Sequence, residues 1–481
     1  MEETNNTPEK ITFAKIEEEF HKVMLIEDKH IVRLLTAVVV ANQMRIDPVW
    51  LMVVAASSGG KSYMIGLLDG LELRSEVRTV VEISDVTENT FASGFRRNDS
   101  EASLLHKMPY GGIFSFKDFT SILSKRRESR EVVMSQLREI YDGKYDKHTG
   151  TGDDIGWTGK IGVIAGVTEV VYEYMESMSA MGDRFIMYGM EQPDRRKLLD
   201  FVLELDEEGK EDSRTQYENL RFLYQSYLRI LNMQITHERI TFDTESKEDI
   251  KNVADFCTKA RSGVVEDFRT GAVKFVPSKE MPTRMVKQLL AIASGLVLIR
   301  KADGDIDKDK PGQLQQSELN MLYKIAFDSI PIKRRMALRY LTKYSQGVIT
   351  EGLAMKLNYQ TDVVRAWLSQ LNALGIVKRV KENAKDKWSL RPEYQELMSK
   401  FNDIKILDEG LGADSDSDMD EEADEEWERG KGMMTDEELE AKLHYEMEAA
   451  NQFESLANYD KENEQSKRDD ERRETNKSET F

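Results

Sequence analysis

The chain has 481 residues, 40% of them apolar, enough for two or three domains with sizeable cores. A single cysteine, Cys257, excludes an internal disulfide framework and a Cys-rich metal site, and points to a reducing, cytoplasmic setting. The net charge of −20 reads as hostile to nucleic acid, yet residues 401–481 hold 28 Asp and Glu against 10 Lys and Arg, a balance of −18 that leaves only −2 on the rest.

The N-terminal MEETNNTPEK is polar and acidic, unlike a signal peptide, and no apolar run reaches the roughly 20 residues of a membrane span, so no membrane partner is expected. Residues 11–27 and 28–45 predict two helices, with Thr12 and Asp28 as N-caps and Ile31, Leu34, Leu35, Val38 and Val39 at helical spacing. Pro48 stops the second, and the run 49–54 predicts a strand buried on both faces. VRTVVEI (77–83), GGIFSF (111–116) and KIGVIAGV (160–167) predict further strands. Helical patterns separate them, which argues for a mostly parallel α/β sheet. Residues 1–46 form N-terminal helices, 47–194 an α/β core, 195–310 a helical region, 311–400 a further module, and 401–481 an acidic tail too polar to order itself. Within the tail, Thr435 and Glu438 make a capping box, and Leu439, Leu443 and Met447 give a short amphipathic helix suited to docking.

After the first strand comes Ala55-Ala56-Ser57-Ser58-Gly59-Gly60-Lys61-Ser62. This is the phosphate-loop pattern, with Ala in place of its first Gly. Ser57, Ser58, Gly59 and Gly60 would turn backbone N–H groups toward a phosphate, and Lys61 would sit on the β- and γ-phosphates of ATP. Ser62 would hold Mg²⁺, and Tyr63 would open a helix through Leu71 whose N-terminus faces the same anion. Such a loop needs an acidic partner to arrange metal and water. The strand GGIFSF runs into Lys117-Asp118-Phe119-Thr120, where Asp118 is the sole carboxylate. Either Asp118 is the metal-side Asp with Phe119 in place of a Glu, or it replaces the Glu with Lys117 where the Asp belongs.

These motifs, followed by SQLREIYDGKYDKHTGTGDDIGWTGKIGVIAGVT (135–168), MGDRF (181–185) and PTRMVKQLLAIASGLVLI (282–299), stand in an order that resembles the AAA+ ATPases. The chain is most similar to the branch that holds the minichromosome maintenance replicative helicases, and relatives of this shape occur among bacteriophage proteins. The resemblance spans roughly residues 35–400. It implies an AAA+ core with a helical lid over 195–310, and a ring of subunits, expected to be a hexamer, located in host cytoplasm if phage-encoded. It also implies a sensor at Thr168, where the family usually has Asn, an arginine finger at Arg184 reaching the neighbour's γ-phosphate, and a sensor-2 helix bringing Arg284 to γ-phosphate. Between the helix and the sensor strand the family has a hairpin that enters the channel. Lys144, Lys147, His148, Trp157 and Lys160 would contact DNA from it.

Residues 333–391 read as three helices and a hairpin, which resembles a winged helix-turn-helix. Thr350 and Thr361 would cap its second and third helices. Arg365 would face outward from the third, and Lys378, Arg379, Lys381 and Lys385 would make the wing basic toward DNA.

Three functions compete: an ATP-driven ring translocase or helicase in replication; a loader or regulator that binds ATP and DNA without unwinding; and a DNA-binding regulator with an inactive loop. The acidic tail would mimic nucleic acid, recruit a basic replication partner, or keep the protein soluble.

Overall fold

The computed structural model describes residues 11–401, apart from 74–77, 92–95, 98–99, 102–103, 149–153, 173, 175–183, 206–211, 235–239, 268–271, 307–311, 345 and 383. The acidic tail, with its Thr435–Met447 segment, lies outside the described residues.

The first helix, α1 (Phe13–Val23), is shorter than 11–27, and Thr12 caps it as expected by accepting from the Lys15 amide. α2 (Ile31–Gln43) begins at Ile31 rather than 28, because the Asp28 carboxylate accepts from the amides of His30 and Ile31 and ends the connector there. Then come β1 (Trp50–Val54), α3 (Lys61–Gly66), β2 (Val80–Glu82), a short ladder of β3 (Arg96–Arg97) with β4 (Ser100–Glu101), and β5 (Gly112–Phe116). α4 (Thr120–Leu123) and α5 (Arg127–Tyr141) lead to the hairpin β6 (Lys144–His148) and β7 (Asp154–Thr158), then β8 (Ile161–Val167) and β9 (Phe185–Gly189).

Five strands form one parallel sheet in the order β2-β5-β8-β1-β9. The expected parallel α/β sheet is therefore present, with β9 as an additional edge strand that the sequence reading did not name. Alternation along the strands splits the core in two. Leu51 and Val53 of β1 and Ile186 and Tyr188 of β9 join one cluster with α1 and α2. Trp50, Met52 and Val54, with Phe185 and Met187, join the other, beneath α4, α5 and the hairpin.

The helical region contains α6 (Arg195–Leu205), α7 (Ser213–Gln234) and α8 (Thr244–Arg261), a small ladder of β10 (Val265–Glu266) and β11 (Val273–Phe275), and α9 (Thr283–Asp303). α9 packs closely on α2 because position 295 is glycine: a Cβ there would sit 2.3 Å from the Ala37 carbonyl oxygen. α10 (Gln316–Asp328) lies across residue 310 from this region and closes the outer edge of β9. Ser329 Oγ accepts from the Met187 amide at 3.0 Å and Asp328 from the Gly189 amide at 2.7 Å, which satisfies an edge that would otherwise be open.

The C-terminal module is α11 (Ile332–Lys343), β12 (Val348–Ile349), α12 (Thr350–Leu357), α13 (Thr361–Ala373), the hairpin β13 (Val377–Glu382) and β14 (Lys385–Leu390), and α14 (Pro392–Ser399). Three helices and a three-stranded sheet of order β12-β14-β13 match the helices and wing read from the sequence. Neither threonine caps its helix. The Thr350 hydroxyl instead accepts from the buried Trp388 indole at 2.8 Å, tying the helix start to the wing. The module shares its core with the body: Arg334 donates to the Ala260 and Ser262 carbonyls, and Phe401 stacks on Phe327.

Candidate functional site

In an open parallel sheet, ligands bind beyond the carboxyl ends of the strands where connections part in opposite directions. β1 occupies that place, since the chain leaves it for β2 at the far edge, works back through β5 and β8, and crosses to β9. The Ala55 amide donates to the Val167 carbonyl and extends the β1–β8 pairing by one residue before the chain turns. Ser58 (φ 64°) and Gly60 (φ 80°) take left-handed conformations, which glycine adopts freely and serine only under strain. At Gly59 a Cβ would lie 2.3 Å from Gln192 Oε1, so the side chain after β9 rests directly on the loop.

Lys61 starts α3 and is only 7% exposed. Its Nζ donates back to the Ala56 carbonyl at 3.0 Å, so the ammonium lies inside the bend of the loop. Burial pushes its pKa below the ordinary lysine value, and the charge of Asp118 opposes that shift. Ser62 is exposed, and its hydroxyl donates to the Lys117 carbonyl at 3.2 Å. The expected helix through Leu71 ends at Gly66 and is continued only by i→i+3 bonds through Leu67 and Leu68. Tyr63 is a correction: its ring packs edge-on against Tyr217 at 4.6 Å, and burial pushes its hydroxyl up to about 12, so the side chain belongs to packing.

Asp118 follows β5, and its carboxylate accepts from the Thr120 amide at 2.9 Å. The Thr120 hydroxyl accepts from the Thr168 amide at 3.1 Å, fastening the end of β8 to the Asp118 turn. Asp118, Thr168, Lys61 and Ser62 thus gather at one edge of the sheet, as expected. The sequence reading missed a second carboxylate there. Glu82, at the end of β2, lies 2.7 Å from Lys117 Nζ. Its signal was its place at the carboxyl end of a predicted strand. The α1–α2 connector also closes over the loop, with Met24 Cε 2.7 Å from where a Gly60 Cβ would stand. Asp28, only 2% exposed, holds that connector: it accepts from the Tyr188 hydroxyl at 2.7 Å and the Glu191 amide at 2.9 Å.

Arg184 and Arg284 are elsewhere. Arg184 precedes β9, and both guanidinium groups lie over the Tyr141 ring, at 5.4 and 5.6 Å. Tyr141 stacks edge-on against Trp50, the first residue of β1. The arginines therefore sit at the amino edge of the sheet, a strand length of about 17 Å from the loop. Arg184 also pairs with Asp142 at 2.8 Å, and its carbonyl accepts from Gln288 of α9. Neither Arg184 nor Arg284 therefore reaches the loop of its own chain.

The hairpin β6–β7 forms, but two of its expected DNA contacts are structural. Trp157 is buried, and its indole donates to the Met108 carbonyl at 3.1 Å. Lys160 donates to the carbonyls of Ala41, Met44 and Ile46 and thereby closes the end of α2. Lys144 is exposed and pairs with Asp146, Lys147 donates to Asn89, and the His148 side chain lies outside the described residues. On the wing, Lys378, Lys381 and Lys385 are exposed, whereas Arg379 is held by Asp386 in a two-pronged pair. Arg365 pairs with Asp362 at 2.5 Å, and α13 packs Gln370 against Glu266, so part of that helix already faces protein. Among the described residues no cluster of three or more His, Cys, Asp or Glu side chains could hold a metal ion by itself, and no helix is long and apolar enough to cross a membrane.

Comparison with protein-family models and with curated protein sequences gives no match.

Proposed function

We propose that this chain is an AAA+ P-loop ATPase that assembles into a ring and uses ATP to move along DNA. The reading rests on one observation: a Gly-rich loop carrying an inward, buried lysine leaves an interior strand of a parallel sheet beside Asp118, while the arginines suited to γ-phosphate stand at the opposite edge. Lys61 would exchange its Ala56 carbonyl for the triphosphate. The residues fit Mg²⁺, which keeps several waters and needs few protein oxygens when substrate phosphates supply the rest. Ser62 and Asp118 would hold it, and the ion would offset charge on the phosphates. Thr168 would orient the attacking water. Arg184 and Arg284 of the adjoining subunit would stabilise transferred charge, since a guanidinium stays ionised and matches phosphate geometry. Catalysis would be positioning and charge stabilisation without a covalent step.

The Lys117–Glu82 pair favours a second reading, a slow switch or loader, because it commits the second carboxylate of the site to a lysine. ATP hydrolysis with and without single-stranded DNA, alongside the mass of the assembly, decides between them. The motor reading expects DNA-stimulated turnover by a ring. Turnover indifferent to DNA, or a monomer with ATP and DNA present, would refute it.

A further inference from the structure

At the amino edge of the sheet, away from the loop, lies a cavity of about 190 Å³. It is bounded by the end of α2, the residues before β2, and the starts of β5 and β8. Arg45, Arg78 and Lys160 line it, together with Gln43, Thr79 and Tyr110, and among the described residues no Asp or Glu does. A cavity whose described lining holds three cations and no carboxylate is suited to an anion. Lys160 is fixed by three main-chain carbonyls and contributes a stationary positive charge. Arg45 and Arg78 are exposed and, among the described residues, make no ion pair or hydrogen bond. Their forked donors are therefore available to an oxyanion. Tyr110 is 68% exposed, a large aromatic left at the mouth of a polar cavity. Uncommitted guanidinium groups beside an unpacked ring are the pair of features that bind a phosphate and the base it carries.

We infer that this cavity binds a phosphate of single-stranded nucleic acid through Arg45 and Arg78, with the attached base resting on Tyr110. Lys160 stands two residues after Thr158, which pairs with the exposed Lys144 across the β6–β7 hairpin. The choice of a strand rests on the proposed movement along DNA, whereas the site itself does not depend on the phosphate loop, to which none of the lining residues belongs.

The test uses full-length protein carrying Lys61→Ala, which removes the loop lysine as a source of phosphate binding. Anisotropy of a fluorescein-labelled oligothymidylate is followed across salt, and a fluorescent nucleoside triphosphate is titrated in parallel. Arg45→Gln with Arg78→Gln should weaken oligonucleotide binding about tenfold and lower the log–log salt slope by about 0.7, the value for the one phosphate they share. Tyr110→Ala should weaken it about fivefold or more with the salt slope unchanged, because stacking is not ionic. Loss of oligonucleotide alone identifies a strand as the source. Parallel loss of the triphosphate identifies a free nucleotide and overturns the strand. Unchanged binding of both probes, in variants with the parental melting temperature, overturns the site. All three substituted residues are exposed, so the variants are expected to fold.

Discussion

The two edges of the central sheet use cations in opposite ways. At the carboxyl edge each is committed inside the chain: Lys61 to the Ala56 carbonyl, Lys117 to Glu82. At the amino edge Arg184 and Arg284 flank one tyrosine, and Arg45 and Arg78 line an open cavity. The first edge can receive an anion only by exchanging an internal partner for it, which keeps the loop ordered when empty. At the second, Arg184 is paired with Asp142 and largely buried, and it is Arg45 and Arg78 that present charge outward. A single protomer therefore holds both halves of the proposed ATPase, about 17 Å apart, with no way to join them by itself.

This contrast is sharpest in turnover. Arg184→Ala should lower ATP hydrolysis about 10³-fold, the scale of an arginine finger, while leaving nucleotide affinity intact. Mixing it with Lys61→Ala protein should restore part of the rate, since some interfaces then pair an intact loop with an intact arginine. Mixed assemblies as inactive as either parent would break the division of labour between the edges.

Nucleotide affinity measures the carboxyl edge alone. Lys61→Ala should weaken ATP binding by about 10- to 100-fold, the value of charge-assisted bonds to phosphate, as read by calorimetry. Equal affinity would remove the loop from the site. Gly59→Ala should cost less, about tenfold or below, because its Cβ collides chiefly with the end of the flexible Gln192 side chain at 2.3 Å and only crowds the Ala56 carbonyl oxygen at 3.1 Å. Adding Gln192→Ala should recover most of that loss, and no recovery would mean that the loop backbone itself is distorted.

The smallest effect concerns pH. Burial lowers the Lys61 pKa in the folded chain, so its charged form costs stability below that pKa and the cost is relieved as pH rises through it. Phosphate binding follows the opposite sign, because only the charged form attracts the anion. ATP affinity should be level through neutral pH and decline on the alkaline side earlier than an exposed lysine would dictate. A profile that stays level to the ordinary lysine range would show that the ammonium is not in the site.

Much of the fold was legible in the sequence because its signals are local. Six apolar residues, 49–54, between Pro48 and a Gly-rich turn can hardly be other than a buried strand and loop, and the wing shows itself in two short basic strands around a turn. Where the reading failed, a partner distant in sequence decided the outcome. Trp157 looks like an aromatic on an exposed hairpin until Met108 accepts its indole proton, and Lys160 looks like a DNA contact until the end of α2 supplies three carbonyls. Thr350 had the chemistry of a cap but met Trp388 first. Glu82 and Gln192 carry no motif at all, and only the parallel register brings the ends of β2 and β9 to the loop.

The sequence by itself determined four of the five strands of the sheet, where the loop turns, and which side chains can bear positive charge near a phosphate. The tertiary structure decided which of those charges are already neutralised, and that Arg184 and Arg284 face away from Lys61. The reason is physical. Periodicity and turn chemistry act over a few neighbouring residues, whereas burial and ion pairing depend on groups that only folding brings within a few ångströms.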